Sequence, residues 1–350
     1  MNSKERLIRA VTFQPVDRVP VIPLLLTQGS KLLNIDLPSY QKSGRNIAKG
    51  QLKLLERLEH DAVIGIPHIV QDLTPWGSPL TYYKNGSPTL SKIVIRKAEE
   101  IKEIKVPDPA NSMETRETLI AINILAKEVG HHTPVIGGLI APFSLPSMLM
   151  GTGPFMEILI NEDKNGDKYL KLLLDKCKQF VVAWAKKMVD QGADMIVMAD
   201  GIASQTVISR RLFEKYVLPL LKETIKEIPV PVVYEAVGSA QGILDLIATT
   251  GAVLAILDYS DHLGECKKIA KGKIAIMGNF NNIEMLYWNR IRTLLEVKKA
   301  INKAADGYGY VLSSQGPEIP FNVPLEVIET MVHATKEFGN YHYIKNFNNI

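Results

Sequence analysis

Short apolar runs alternate with longer amphipathic stretches along most of the chain. The runs are nearly continuous and rich in Val and Ile, which is typical of parallel strands buried on both faces. Eight strands are predicted: Val19–Leu24, Ala62–Ile66, Pro134–Leu139, Met195–Met198, Val230–Tyr234, Leu254–Leu257, Ile274–Met277 and Gly309–Leu312. Eight strand–helix units with right-handed crossovers close into an α/β fold of the (β/α)8 (TIM) barrel type. A doubly wound open sheet is the alternative fold, because it shows the same alternation of strands and helices.

Three helices have clear limits in the sequence. Apolar positions with helical spacing predict a helix over Lys168–Gln191, and Ser209 is a suitable N-cap for a helix over Arg210–Lys226. Pro324 is expected in the first turn of a helix over Leu325–Lys336, because proline is tolerated there. A further amphipathic helix is expected at the N-terminus, where a signal peptide would have an apolar core.

A small β-hairpin insertion is predicted over about residues 78–97. Asn85-Gly86 is a strong signal for a two-residue turn, and it separates two strand-like runs. The chain shows no internal repeat, so a single barrel domain with an N-terminal helical extension is expected over residues 1–340. Residues 341–350, rich in Asn and Lys, are expected to form a C-terminal tail.

The amino-acid composition excludes several classes of protein. The 350 residues are 46% hydrophobic and 22% charged, with a formal net charge of +4 spread along the chain. No basic surface for nucleic acid is therefore expected. No apolar run reaches the roughly 20 residues that span a bilayer. Cys177 and Cys266 are the only cysteines, which excludes a disulfide framework and an all-cysteine zinc site and favours a cytoplasmic location.

Functional side chains of a barrel lie at the carboxyl ends of the strands and in the loops that follow. His68, Asp200 and Glu235 are the predicted catalytic residues, because imidazole and carboxyl groups transfer protons. A buried structural histidine and a turn-capping aspartate are the simpler alternatives for the first two. The predicted substrate-binding residues are Gln28, Tyr234, Asn279 and Gln315.

The loop after the strand Leu254–Leu257 contains three further polar candidates. Asp261 is predicted to be the N-cap of the next helix and His262 its first residue. Asp258 is the better site candidate, because it follows the strand directly. His262 and Cys266 are four residues apart, which is a weak signal for a metal site.

Common nucleotide and hydrolase motifs are missing from the sequence. Gly151-Thr152-Gly153-Pro154 lacks the Lys-Ser/Thr of a phosphate loop and predicts a helix start instead. No Gly-x-Ser-x-Gly, Gly-x-Gly-x-x-Gly or His-Glu-x-x-His pattern is present, so nucleophilic hydrolysis and dinucleotide binding have no support.

A set of short motifs extends along the chain: Glu5–Ala10 with Pro15–Pro20, Gly138–Phe143, Gly192–Asp194 with Ala199–Asp200, Leu212-Phe213 with Leu218-Pro219, Met277–Phe280, and Glu318–Pro320 with Pro324–Glu326. This ordered set resembles the uroporphyrinogen decarboxylase superfamily. The motifs cover almost the whole chain in the expected order. The resemblance implies a (β/α)8 barrel, in agreement with the hydrophobic pattern.

Decarboxylases of this superfamily have features that this sequence lacks. Their arginine-rich N-terminal motif corresponds to Leu26–Ser30, which contains no arginine. Their essential aspartate aligns with His68. An octa-acid substrate needs cationic partners, so porphyrinogen decarboxylation is disfavoured.

The other branch of the superfamily resembles methyltransferases that exchange a methyl group with a corrinoid on a partner protein. In thiol-methylating members a His-x-Cys pair and a later Cys bind zinc. By this resemblance those ligands fall near Glu235-Ala236-Val237 and Gln315-Gly316-Pro317, and all three are absent. The resemblance therefore implies a barrel of this branch with an oxygen-rich centre that lacks thiolate ligands.

The predicted function is corrinoid-protein-dependent methyl transfer from a small methylated donor to cob(I)alamin, with methoxylated aromatics favoured. Zinc held by Glu235 and Asp258, with His262 or His68, could activate the oxygen of the donor. In a metal-free version a histidine or carboxyl group acts as the acid. The alternatives are transfer to a thiol with a rebuilt metal site, decarboxylation, and a non-catalytic corrinoid or small-molecule binder. A homodimer is a further expectation.

Overall fold

The computed structural model describes residues 1–165 and 168–347. Its main sheet has seven parallel strands in the order β1-β4-β5-β6-β7-β8-β9, and β2 and β3 form a separate antiparallel hairpin. The strands are β1 Val63–Ile64, β2 Leu80–Tyr83, β3 Gly86–Leu90, β4 Val135–Ile140, β5 Met195–Asp200, β6 Val232–Ala236, β7 Leu254–Ile256, β8 Ala275–Phe280 and β9 Tyr310–Ser314. Each strand of the main sheet after β1 follows a helical segment, as the hydrophobic pattern predicts.

The segment predicted as the first strand, Val19–Leu24, closes the barrel without forming a regular strand. Ile22 N donates to the carbonyl of Leu312 in β9, and on its other side the carbonyl of Val21 accepts from Asp61 N, before β1. Pro20 and Pro23 have no N–H, which interrupts a continuous ladder. Seven strands and this segment together form a (β/α)8 barrel.

Most helices of the described ranges connect successive strands of the sheet. They are α1 Ser3–Val11, α2 Gly29–Leu33, α3 Leu37–Gln41, α4 Gly44–Leu58, α5 Met113–Glu128, α6 Leu145–Met150, α7 Thr152–Asn165, α8 Lys168–Asp190, α9 Arg210–Leu212, α10 Leu218–Lys226, α11 Leu244–Ile247, α12 Leu263–Ala270, α13 Arg290–Ala304, α14 Leu325–Phe338 and α15 Tyr341–Phe347. Short 3-10 turns lie at Ile69–Leu73, Ala98–Lys102, Gln241–Ile243 and Glu284–Tyr287. None of these helices combines the length and the apolar character needed to cross a membrane.

The predicted helix limits are largely confirmed. Ser209 is an N-cap, since its side chain accepts from Leu212 N, but the helix it begins contains a π-helical turn over Phe213–Val217. Pro219 follows that turn and has no N–H to donate to the preceding turn. Pro324 lies one position outside the helix, as the N-cap of α14. The segment Gly151–Pro154 is a helix start, as predicted, because α7 begins at Thr152.

The chain ends are more ordered than the sequence suggests. The hydroxyl of Tyr341 is buried and donates to the carbonyl of Ala305, so the predicted tail begins as the helix α15. Residues 348–350 of that tail lie outside the described ranges. The N-terminal helix α1 confirms the predicted helical extension.

Candidate active site

A small cavity lies inside the barrel near the carboxyl ends of the strands. It has a volume of about 30 Å³, and its walls are apolar except for Glu235. Val197 and Ala199 of β5 and Glu235 of β6 face it, whereas Asp200 and Tyr234 lie at alternate positions. Side chains of a strand point to opposite faces in turn, so Glu235 points into the barrel and its neighbours point toward the helices.

Glu235 is the carboxyl group at the centre of the barrel. Its side chain is buried, and no side chain or backbone N–H of the described residues donates a hydrogen bond to it. Burial, followed by the nearby Asp258 carboxylate, raises the pKa of Glu235 to about 8. The group is therefore mostly protonated at neutral pH and can act as an acid.

Gly316 provides the space for this carboxyl group. A Cβ at Gly316 would overlap Oε1 of Glu235. A second cavity, about 10 Å³ in volume, is lined by Glu235, Val237, Asp258, Gln315 and Gly316 with their neighbours. The two segments near which the sequence resemblance places the zinc ligands thus meet in space, and the residues of these segments that line the cavity include no His or Cys.

Asp200 and Tyr234 form a separate buried cluster outside the barrel interior. Ser144 Oγ donates to Asp200 Oδ1 at 2.5 Å, and Tyr234 Oη donates to Asp200 Oδ2 at 2.9 Å. Burial raises the pKa of Asp200 to about 6, although both hydrogen bonds oppose the shift. The catalytic role of Asp200 and the substrate-binding role of Tyr234 remain predictions. In this geometry the two residues link the ends of β5 and β6.

His68 lies after β1 and is also buried. Burial lowers the pKa of its imidazole to about 3, so the ring is neutral at pH 7. Neither ring nitrogen has a hydrogen-bond partner within the described parts of the chain. The edge of the ring faces Tyr82 of the hairpin, with 6.1 Å between ring centroids. A neutral imidazole therefore occupies the position that, by the sequence resemblance, is an aspartate in the decarboxylases.

The predicted metal ligands do not come together. Asp258 lies near Glu235, but His262 is the N-cap of α12, and its Nδ1 accepts from Glu265 N at 3.3 Å. Across the described ranges, no three His, Cys, Asp or Glu side chains are close enough to share a metal ion. The residues in this arrangement do not fit a zinc site, because only two carboxyl groups approach one another.

The N-cap prediction for Asp261 is wrong by one residue, since His262 takes that position. Asp261 is buried and instead accepts four donors: Ser239 Oγ and the N–H groups of Ala240, Gln241 and Asp258. Four donors on one carboxylate connect the loops that follow β6 and β7.

Three predicted substrate-binding amides are used within the protein. Gln28 Nε2 donates to the carbonyls of Ile319 and Pro320, and Asn279 Nδ2 donates to those of Asp258 and Asp261. The third amide, Gln315, donates to Asn282 Oδ1 and accepts from Tyr259 N. Their substrate-binding role remains a prediction, and in this structure they fix the loops around the opening of the barrel.

Sequence reasoning missed Asp72, Ser144 and Tyr82. Asp72 accepts from Ile140 N at 2.7 Å and from Trp184 Nε1 at 2.9 Å, and burial raises the pKa of its carboxyl to about 7. The strand–loop pattern gives no signal for these residues, because the side-chain partners of Asp72 and Ser144 are 56 or more positions distant in the chain and Tyr82 lies in the inserted hairpin.

Known proteins resemble this chain over nearly its full length. Methylcobamide:CoM methyltransferase MtbA of Methanosarcina mazei is 30% identical over 97% of this chain and 98% of its own. Uroporphyrinogen decarboxylase of Pseudoalteromonas atlantica is 25% identical, over 98% of this chain and 99% of its own. A solved structure described as a methyltransferase from Methanosarcina mazei has a TM-score of 0.86 at 23% identity and covers 97% of this chain and 99% of its own. Residues 2–338 match the uroporphyrinogen decarboxylase (URO-D) family, and the chain belongs to that family.

Proposed function

We propose that this protein is a corrinoid-protein-dependent methyltransferase. Support comes from full-length similarity to relatives named methylcobamide:CoM methyltransferases, together with a barrel cavity that contains one protonatable carboxyl group. The observation that carries the proposal is the position of Glu235. Its carboxyl lies against Gly316, where the sequence resemblance places the zinc ligands of thiol-methylating members.

The proposed donor carries its methyl group on oxygen, and a methoxylated aromatic is favoured. Apolar walls like those of this cavity suit the faces of an aromatic ring once the cavity widens to admit it, and a protonated carboxyl group suits a departing oxygen. When bound at the opening of the barrel, the corrinoid of the partner protein supplies the cobalt nucleophile that accepts the methyl group. Glu235 then gives its proton to the oxygen that leaves, and water restores that proton after product release.

A methylcobamide-to-thiol transferase is the second candidate, because the relatives are named for that reaction. Neither of the two cysteines of this chain lines the barrel cavities, and no lining residue of those cavities is a cation. The thiol reaction would therefore need a different means of activating the acceptor. The same lack of cations disfavours an octa-acid substrate, and a non-catalytic binder would retain affinity without turnover.

Methyl transfer can be measured directly with the purified protein and cob(I)alamin. We expect methylcobalamin to form from 2-methoxyphenol, and we expect Glu235→Gln to slow its formation at least 100-fold, because the amide cannot supply a proton. Activity of the wild type should fall as pH rises above about 8, where Glu235 loses its proton. Methylation of coenzyme M from methylcobalamin, without reaction of any methoxylated donor, would instead establish the second candidate.

The zinc and homodimer predictions have separate tests. Elemental analysis of wild type and Glu235→Ala, each purified without chelator, tests the zinc prediction. A stoichiometric metal that disappears in the variant would show that the site rearranges to bind it. Light scattering tests the predicted homodimer. A cytoplasmic location is likewise part of the proposal.

A further inference from the structure

The hairpin formed by β2 and β3 covers one side of the opening of the barrel. Tyr82 of β2 contacts His68, in the loop after β1. Ser87 of β3 donates to Oε1 of Glu318, in the loop after β9, at 2.5 Å. The hairpin therefore spans the loops on either side of the closing segment Val19–Leu24.

Several buried polar atoms of the hairpin and of the loops at this end of the barrel have no hydrogen-bond partner in the described parts of the chain. They are Thr27 Oγ1, His68 Nδ1, His68 Nε2, Tyr82 Oη and Glu318 Oε2. A buried polar group without a partner destabilises the folded state, and such groups are rare in native proteins. Four of the five atoms belong to Tyr82 of the hairpin or to His68 and Glu318, which contact the hairpin, and they mark a place where a bound molecule can supply the missing hydrogen bonds.

These atoms adjoin the cavity that contains Glu235. Leu26, Ile66, Ile69 and Pro317 line the cavity, and Thr27, His68 and Glu318 are adjacent to them in the chain or within two residues of them. The cavity and the unpaired polar atoms thus belong to one end of the barrel, and Glu235 reaches this end against Gly316, two residues before Glu318.

The segment that carries His68 is anchored by hydrogen bonds to neighbouring elements of the barrel. Asp72, four residues later, accepts from Ile140 N and Trp184 Nε1, and Gln71 Oε1 accepts from Thr118 Oγ1. The short 3-10 turn is therefore anchored to β4, α5 and α8. These bonds fix the position of the imidazole. Its two unpaired nitrogens are therefore held at a defined place on this side of the barrel.

We propose that His68 and Tyr82 form a subsite for an uncharged hydroxyl group of the methyl donor, which is then a methoxyphenol. This inference rests on the proposed function and extends it to the donor's second substituent. A neutral imidazole and a tyrosine hydroxyl can each donate and accept, which matches the two hydrogen-bonding roles of a phenol. Nearby charges are the ammonium of Lys42, 4.3 Å from the Tyr82 ring centroid, and the carboxylate of Glu114, whose charge acts on Tyr82.

The donor enters when the hairpin moves outward. A volume of about 30 Å³ holds roughly one water molecule, so an aromatic ring needs more space than this closed form provides. The Ser87–Glu318 hydrogen bond is exposed and links the hairpin to the loop after β9. Outward movement of the hairpin therefore breaks this one side-chain hydrogen bond to the loop after β9.

Calorimetry with 2-methoxyphenol and 1,2-dimethoxybenzene tests the subsite, since these probes differ in one hydroxyl group. We expect the wild type to bind 2-methoxyphenol at least 10-fold more tightly. Tyr82→Phe and His68→Phe should each reduce that preference by 5-fold or more. Tyr83→Phe is the matched control, because the exposed Tyr83 hydroxyl bonds Thr89 on the outer face of the hairpin. It should keep the wild-type preference.

Methyl transfer to cob(I)alamin, measured on the same proteins, separates this inference from the proposed function. Selective binding of 2-methoxyphenol without any methyl transfer would support the subsite and contradict the methyltransferase. Methyl transfer that is equally fast from both probes, or a binding preference that survives in both variants, would overturn the subsite and leave the methyltransferase intact. Tyr82→Phe removes one oxygen and keeps the ring, so a thermal unfolding curve like that of the wild type will show that its loss of preference is local.

Discussion

The chemistry of the candidate site depends on a carboxyl group next to a residue without a side chain. Glu235 occupies the space that a Cβ of Gly316 would need, and its burial keeps it protonated at neutral pH. Neither residue is informative alone, since glutamates and glycines are common in loops. Their contact creates an acid at the centre of the barrel.

Gly316→Ala should disturb the site through a steric clash. The added Cβ would overlap the Glu235 carboxyl, so the side chain or the loop must move, at a cost of about 1–3 kcal/mol of the free energy of unfolding. Methyl transfer should fall at least 10-fold. Gly201→Ala is the control, because a Cβ there has no neighbour within 4 Å. Equal activity of the two variants would mean that the Glu235 position is not needed.

Glu235→Gln should change how stability depends on pH. The folded-state pKa of about 8 lies above the usual value of 4.5, so the folded protein binds more protons than the unfolded chain between these values. The free energy of unfolding of the wild type therefore falls as pH rises through this window, and the variant lacks this contribution. The variant should gain on the order of 3 kcal/mol relative to the wild type between pH 5 and 8.

Denaturant unfolding at several pH values measures this difference. Asp72 and Asp200 also have raised pKa values, but both proteins contain them, so their contributions cancel. Exposed Glu326→Gln is the control and should follow the wild type at every pH. Parallel curves for wild type and Glu235→Gln would show that Glu235 is solvated in the folded protein.

The strands and helices were predictable because their hydrophobic pattern is strong, but the orientation of their polar residues was not. The run Val232-Val233-Tyr234-Glu235-Ala236 is buried throughout. A strand buried on both faces gives no indication of which positions point inward, so the sequence predicts a site role for both Glu235, as a catalytic residue, and Tyr234, as a substrate-binding residue. The structure separates them, with Glu235 in the barrel and Tyr234 bonded to Asp200.

Loop connections follow from tertiary contacts that the local sequence does not encode. Asp261 has the residue type of an N-cap, yet His262 caps α12, while Asp261 turns toward Ser239, Ala240 and Gln241 from the preceding loop. Four donors on one buried carboxylate stabilise it more than a single helix cap would. Local propensity is overridden here by a network between loops.

Asp261→Asn should loosen the loops after β6 and β7 together. The amide nitrogen cannot accept, so at least one of the N–H groups of Ala240, Gln241 and Asp258 loses its partner. We expect a loss of about 1–3 kcal/mol and faster amide hydrogen exchange in both loops. Asp36→Asn, at the exposed N-cap of α3, is the control and should affect only its own helix. Faster exchange in one loop alone would contradict the shared network.

At the scale of the whole molecule, the N-terminal motifs that resemble the family close the barrel. Arg6 and Arg18 both donate to the buried carboxylate of Asp61, at 2.7–3.0 Å, and Arg6 also binds Asp17. Asp61 directly precedes the strand region of β1 and accepts from Val21 N in the closing segment. One carboxylate therefore joins α1, the closing segment and β1, which explains why the charged motifs at the start of the chain accompany this fold.

Asp61→Ala tests whether the hydrogen bonds and ion pairs of Asp61 keep the barrel closed. Removing the carboxylate leaves the guanidinium groups of Arg6 and Arg18, which are mostly buried, without their shared partner, so the free energy of unfolding should fall by about 3–5 kcal/mol. Glu329→Ala breaks the more exposed pair with Arg57 and should cost at most about 1 kcal/mol. Urea unfolding measures both values, and exchange of the Ile22 and Leu312 amides reports opening at the closing segment. If Asp61→Ala unfolds at the same urea concentration as Glu329→Ala, the backbone hydrogen bonds of Val21, Ile22 and Leu312 close the barrel on their own.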